Sequence, residues 1–205
     1  MIDFHVIHRS KKSPYFDEAI SSLGDNSVYL LEDTTDQGYT RMQAYSMGTN
    51  PYVSFCDDDD VIQNIEKVTD YLRQNDVNAL YTNSDIVNAE GNLYNRFYKD
   101  DHCYSYEELI RGRMQIHQLV VIKREIAERA AIAAYQNMKD LGISKAYDYA
   151  FFFEVARLTN WTYLPEVCYK WRKWNSTVQL HYRLNNDPTK IRKYYETRYN
   201  LEQTK

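Results

Sequence analysis

Short apolar runs alternate with longer stretches of helical spacing through the first half of the chain. This is the pattern of strands joined by helical crossovers in a mainly parallel sheet. "FHVIH" (4–8), "VYLL" (28–31), "YVSF" (52–55) and "ALYT" (79–82) read as strands. "YFDEAISSLG" reads as a helix stopped by Gly24, and a second helix is expected around Tyr39 to Met47. Ile62, Ile65, Val68 and Leu72 recur at helical spacing and predict an amphipathic helix lying back on the sheet. Further on, "NAEGNLYNRF" reads as a hairpin turning at Gly91, and "LVVI" (119–122) as a strand before the helix "KREIAERAAIAAY". Phe151, Phe152, Val155 and Ala156 give Tyr147 to Thr159 an apolar helical face. "TYL" and "VCYKW" are expected as two late strands, and "PTKIRKYYETRYNLEQ" as a closing helix with Pro188 near its first turn. With no internal repeat or low-complexity linker, the expected class is α/β in a single compact domain.

Composition narrows this picture. A chain of 205 residues with 26% charged residues fits one soluble domain with a substantial core. No apolar run approaches the roughly 18–20 residues of a membrane span, and "MIDFHVIHRSKKS" lacks the features of a signal peptide, so no transmembrane segment and a cytoplasmic location are expected. Cys56, Cys103 and Cys168 lie far apart with no C-x-x-C pair and read as packing residues. The net charge of −4 is unevenly spread: Trp171 to Lys205 holds eight basic residues against three acidic ones, so the tail is basic and the body acidic.

The most unusual feature is the run Asp57, Asp58, Asp59 and Asp60 directly after "YVSF". A solvated acidic loop is the bland reading. Position argues for more, because ligands of open α/β sheets bind at the carboxyl ends of strands. Two carboxylates about 4 Å apart repel by roughly 4 kcal/mol at an effective dielectric near 20, a cost that a cation would offset. Oxygen-only ligands favour Mg2+ or Mn2+, which bind through one or two carboxylates, water and phosphate. The spaced acids, Gly and Glu of an EF-hand are missing, as are G-x-x-x-x-G-K-[ST] and G-x-G-x-x-G; a phosphatase or nuclease with paired carboxylates stays open.

Order and spacing together resemble the GT-A fold glycosyltransferases, specifically the nucleotide-sugar-dependent family 2, from about His5 to Thr177. "HVIHRSKKSPYFDEAISSLG" is similar to the family's opening strand, loop and helix, and "LLEDTTD" to its "VDDGSTD". Arg41 precedes Asp57 by the family's interval of sixteen residues, and "SFCDDDDVI" resembles the D-x-D-D motif. "LYTNSDIVNAEGNLY", "YSYEELIRGRMQIHQLVVIKREI" and "YDYAFFFEVARLTNWTYLPEVCYKWRKWNST" resemble later landmarks in the family's order.

The resemblance implies a Rossmann-like GT-A domain over 1–180, with a donor-binding half (about 1–100), an acceptor and catalytic half (about 101–180), and a basic, aromatic helix at 181–205. It implies transfer of a sugar from a nucleoside diphosphate sugar, UDP favoured, to a glycan, lipid-linked or other hydroxyl acceptor, with inversion and with Mn2+ or Mg2+. Asp59 would hold the metal, with Asp57 at the ribose or metal and Asp60 supporting them. His8, Arg9, Asp33, Arg41, Asp57 and Asp58 would line the donor site. Asp148, in the first turn of a helix whose dipole favours the ionised carboxylate, matches the general base. His117, Arg172 and Trp174 would lie on the acceptor or diphosphate side.

Three features depart from the family. Tyr147 stands where the family has an acid before the base, and Trp174 where it often has a His, leaving His181 as a candidate to complete the metal shell. His8 and Arg9 occupy a loop that is commonly Pro and Thr. Family members often continue into membrane helices or further domains, so the expectation is a minimal soluble transferase. Two other readings stay open. One is a nonenzymatic glycan- or nucleotide-binding descendant, motivated by Tyr147 and Trp174. The other is transfer to modified DNA bases, motivated by the basic aromatic tail, where nucleic acid would be the partner.

Overall fold

The computed structural model describes residues 1–33, 36–97, 105–112, 116, 118–144, 146–173 and 187–203. Its strands are β1 (Ile2–His8), β2 (Ser27–Glu32), β3 (Tyr52–Asp57), β4 (Val61–Ile62), β5 (Ala79–Val87), β6 (Leu93–Phe97), β7 (Val120–Lys123) and β8 (Thr162–Arg172). Its helices are α1 (Phe16–Ser22), α2 (Gln37–Tyr45), α3 (Ile65–Gln74), α4 (Tyr106–Ile110), α5 (Arg124–Asp140), α6 (Tyr147–Leu158) and α7 (Asp187–Gln203).

Among the described residues these strands form one eight-stranded sheet in the order β2-β1-β3-β7-β5-β8-β4, with β6 paired to β5. β1, β2, β3, β5 and β8 run one way, while β4, β6 and β7 run against them, so the sheet is mixed and mostly parallel. Because β1, β2 and β3 are parallel and in register from Asp3↔Ser27 and Ile2↔Tyr52 onward, their carboxyl ends reach one rim together.

Alternation along the strands sorts side chains onto two faces. Val53, Phe55, Tyr81 and Ile122 pack under α5 and α6 in one core, whereas Phe4, Val6, Cys56 and Leu80 join Val68 and Leu72 of α3 in the other. Leu23 seals the second core from the end of α1. Cys56 and Cys168 are buried free thiols; Cys103 lies outside the described residues.

Three sequence expectations shift. Ile62 belongs to β4, opposite Tyr169, and not to the helix: Asn64 takes a left-handed φ of 52° and resets the chain before α3 begins. "TYL" and "VCYKW" form the single strand β8. Its register on β5 jumps from Thr82↔Leu164 to Asn83↔Val167, and this bulge accommodates Pro165, which has no amide proton to give the ladder. The short helix α4, capped by Ser105, which accepts from the Glu108 amide at 3.4 Å, had no periodic signal.

The basic C-terminal helix joins the core under α5 and α6, packing on α4 and α6. Ile191 and Tyr195 are fully buried, and the Tyr195 ring stacks on Phe153 at 4.6 Å. Its Arg198 joins Arg157 around the buried Glu154 carboxylate. Among the described residues no helix is long and apolar enough to cross a membrane.

Candidate active site at the acidic turn

β3 delivers Asp57 to the carboxyl rim of the sheet, where the Asp33 amide also donates to the His8 carbonyl and ties the ends of β1 and β2. From Asp57 the chain turns at once: the Asp60 amide donates to the Asp57 carbonyl at 3.2 Å. The four acids therefore occupy one tight turn but four different environments.

Asp57 is half-buried and its Oδ1 accepts from Arg41 Nη2 at 3.1 Å. α2 supplies that arginine, and its guanidinium lies 5.2 Å from the centre of the Phe55 ring, so the predicted interval of sixteen residues closes into an ion pair. Asp58 turns toward the loop after β1, where its Oδ2 accepts the Ser13 amide at 3.0 Å. Partial burial raises its pKa, against the Ser13 hydrogen bond and the nearby His8 and Arg9 charges. Asp59 is half-buried, and its carbonyl accepts from Arg172 Nε at 2.9 Å.

Asp60 is only 1% exposed. Its Oδ2 accepts from the Tyr169 hydroxyl and its Oδ1 from the Arg172 amide, both at 2.7 Å. Burial, reinforced by Asp57 and Asp59, pushes its pKa well above the usual carboxylate range despite those two donors. Asp60 thus faces β8 from within the protein, while Asp57 and Asp59 stay partly open.

Asp148 sits in the first turn of α6. Ala146, immediately before that helix, holds a left-handed φ of 63°, a conformation costing a residue with a Cβ roughly 1–2 kcal/mol. The helix dipole was expected to favour the ionised form of Asp148; instead burial dominates and raises its pKa, with Arg41 opposing the rise and Asp57 adding to it. Tyr147, in the position of the family's acid, turns into the core and donates to the Ala131 carbonyl at 3.3 Å.

Other predicted positions are placed as follows. His8 is half-buried against Phe16, Arg9 is exposed, and Asp33 is half-buried just past β2. Arg172 is 4% exposed and held by protein groups on several sides. His117, Trp174 and His181 lie outside the described residues. Tyr169, Ser13, Tyr15 and Glu18 support the turn, and nothing in the local sequence marks them. A cavity of about 170 Å3 lined by Asp36, Tyr135, Lys139 and Ile143 contains none of these residues.

The side chains of the turn itself offer oxygen donors. Among the described residues no three His, Cys, Asp or Glu side chains are grouped to hold a metal. A divalent ion here would have at most two carboxylates, Asp57 and Asp59, and would draw its remaining ligands from water and phosphate, which is the habit of Mg2+.

Solved structures of S. aureus TarS share this fold. One matches with a TM-score of 0.58 at 14% identity over 84% of this chain and 36% of its own. The fold is GT-A-like. A TarS fragment, residues 1-349, in complex with UDP-GlcNAc matches with a TM-score of 0.57 at 14% identity, over 87% of this chain and 60% of that one. The same fragment in complex with UDP gives 0.52, again at 14% identity, over 83% and 60%. This GT-A-like chain therefore spans little more than a third of the longest of these TarS chains. No protein-family model and no curated protein matches it.

Proposed function

We propose that the chain is a glycosyltransferase moving a sugar from a nucleoside diphosphate sugar, UDP-linked by preference, to an acceptor hydroxyl. One observation carries the reading: at the carboxyl rim of a GT-A-like sheet, β3 ends in an acidic turn whose first residue, Asp57, pairs with Arg41 at 3.1 Å while Asp59 stays partly open beside it. The UDP and UDP-GlcNAc complexes of the similarly folded TarS support the donor class.

In this reading Asp57 and Asp59 hold Mg2+ or Mn2+, which when bound offsets the charge of the leaving diphosphate. His8, Arg9 and Asp33, at the ends of β1 and β2, border the nucleoside, and Arg41 fixes the Asp57 carboxylate. Asp148 takes the proton of the acceptor hydroxyl as its oxygen bonds to the anomeric carbon. The bond from that carbon to the diphosphate breaks on the opposite face, which inverts the centre. The raised pKa of Asp148 moves its proton affinity toward that of a working base at neutral pH.

For the nucleic-acid version, Arg198 of α7 pairs with Glu154 and Glu202 and Lys190 with Asp187, while Lys193 of the same helix is exposed, so only part of the helix's positive charge is offered to a phosphate backbone. The deciding experiment is a thermal-shift panel of nucleotide sugars with and without Mn2+. A Mn2+-dependent rise with one UDP-sugar is expected; no response from any nucleotide would overturn the reading.

A further inference from the structure

Arg172 was expected on the acceptor or diphosphate side, yet its guanidinium is already spent within the protein. Nε donates to the Asp59 carbonyl at 2.9 Å, Nη1 to the Ala89 carbonyl at 2.9 Å and Nη2 to Glu18 Oε2 at 2.7 Å. Its Cζ lies 4.1 Å from the centre of the Tyr15 ring. The same residue's amide binds Asp60 Oδ1, and Tyr169, three residues earlier on β8, binds Asp60 Oδ2. The Tyr169 hydroxyl also accepts the Asp57 amide at 3.4 Å.

Two residues of β8 therefore touch the acidic turn at both ends, through the Asp57 amide, the Asp59 carbonyl and both Asp60 oxygens. Arg172 further joins that turn to α1, to the loop carrying Tyr15 and to the β5–β6 hairpin. A planar fork with fixed donor directions suits such a junction, and a lysine could satisfy one of these acceptors at a time. The turn's position thus depends on side chains more than a hundred residues downstream.

We propose that Arg172 and Tyr169 are positioning residues: they clamp the acidic turn so that Asp57 and Asp59 are held at a fixed separation for a divalent ion and diphosphate. This rests on the function proposed above. Asp60 is then the fixed post of the clamp, and Arg172 touches no substrate. Residues orienting metal-binding carboxylates are typically worth about 10–100-fold in metal affinity.

The test measures UDP affinity with Mn2+ and with EDTA by calorimetry, alongside melting temperature, for wild type, Tyr169→Phe and Arg172→Lys. The expected result is a loss of about tenfold or more in Mn2+-dependent affinity in both variants, with metal-free affinity changed much less. A purely structural role would lower the melting temperature and weaken both affinities equally, and that result would overturn the clamp. Tyr169→Phe removes one oxygen and keeps the ring, which guards against loss of the fold. Wild-type protein that binds neither UDP nor any other nucleoside diphosphate would overturn the proposed function and the clamp together; wild type that binds, with variants binding equally well, would overturn the clamp alone.

Discussion

Arg41 Nη2 donates to Asp57 Oδ1 at 3.1 Å, linking helix α2 to the last residue of β3. The same guanidinium acts to lower the pKa of Asp148, so one cation serves both Asp57 and the proposed base. A working base must be ionised, so activity is lost as pH falls through the raised pKa of Asp148. Replacing Arg41 with Ala removes an opposing charge and raises that pKa further. The acid limb of the kcat profile is then expected to move to higher pH; an unmoved limb would argue against Asp148 as the titrating base.

Neighbouring acids should separate cleanly. Asp59→Ala is expected to abolish the Mn2+-dependent part of UDP binding. Asp58→Asn, whose amide oxygen can still accept the Ser13 amide, is expected to retain most of it. Isothermal titration of both variants distinguishes a motif in which the positions differ from a mere accumulation of negative charge.

Asp148→Asn removes the proton acceptor while keeping size and shape. Donor binding is expected to stay within about threefold of wild type, with turnover down by roughly 10²–10⁴-fold, the usual worth of a general base. Once a donor is known, binding and single-turnover measurements on the same preparation test the two halves of that statement.

Far from the rim, Arg124 donates to the Tyr45, Met47 and Asn50 carbonyls and pairs with the buried Asp3 carboxylate. Arg124→Ala leaves that buried charge without its ion partner, though still bonded by the Asn50 amide and side chain, and should cost about 3 kcal/mol in chemical denaturation. UDP affinity below the unfolding transition should be unchanged, because this cluster lies at the opposite end of β1 from the acidic turn.

The strands whose apolar runs end in polar residues were readable because each element's period is local: β1, β2 and β3 begin or end within a residue or two of their expected limits. Asp148 also falls in the first turn of its helix, as the apolar face of Phe151, Phe152 and Val155 implied. What the sequence hid is set by partners distant along the chain. Asp60 and Asp59 are adjacent carboxylates with the same intrinsic chemistry, yet Tyr169 and the Arg172 amide draw one inside. Periodicity is equally blind to burial, which overrode the dipole argument at Asp148, and to the core-facing turn of Tyr147. The reversed direction of β7 between β3 and β5 is likewise a long-range choice.

The clasp between the acidic turn and β8 bears on modularity. A fragment ending near residue 100 would contain every acid of the turn but neither Tyr169 nor Arg172, and so would lack the β8 contacts that hold the turn. The contacts that hold it come from β8, a strand paired with β5 across some eighty residues of sequence. Split versions of the protein should accordingly regain nucleotide binding by complementation, when a separately supplied C-terminal fragment completes the sheet.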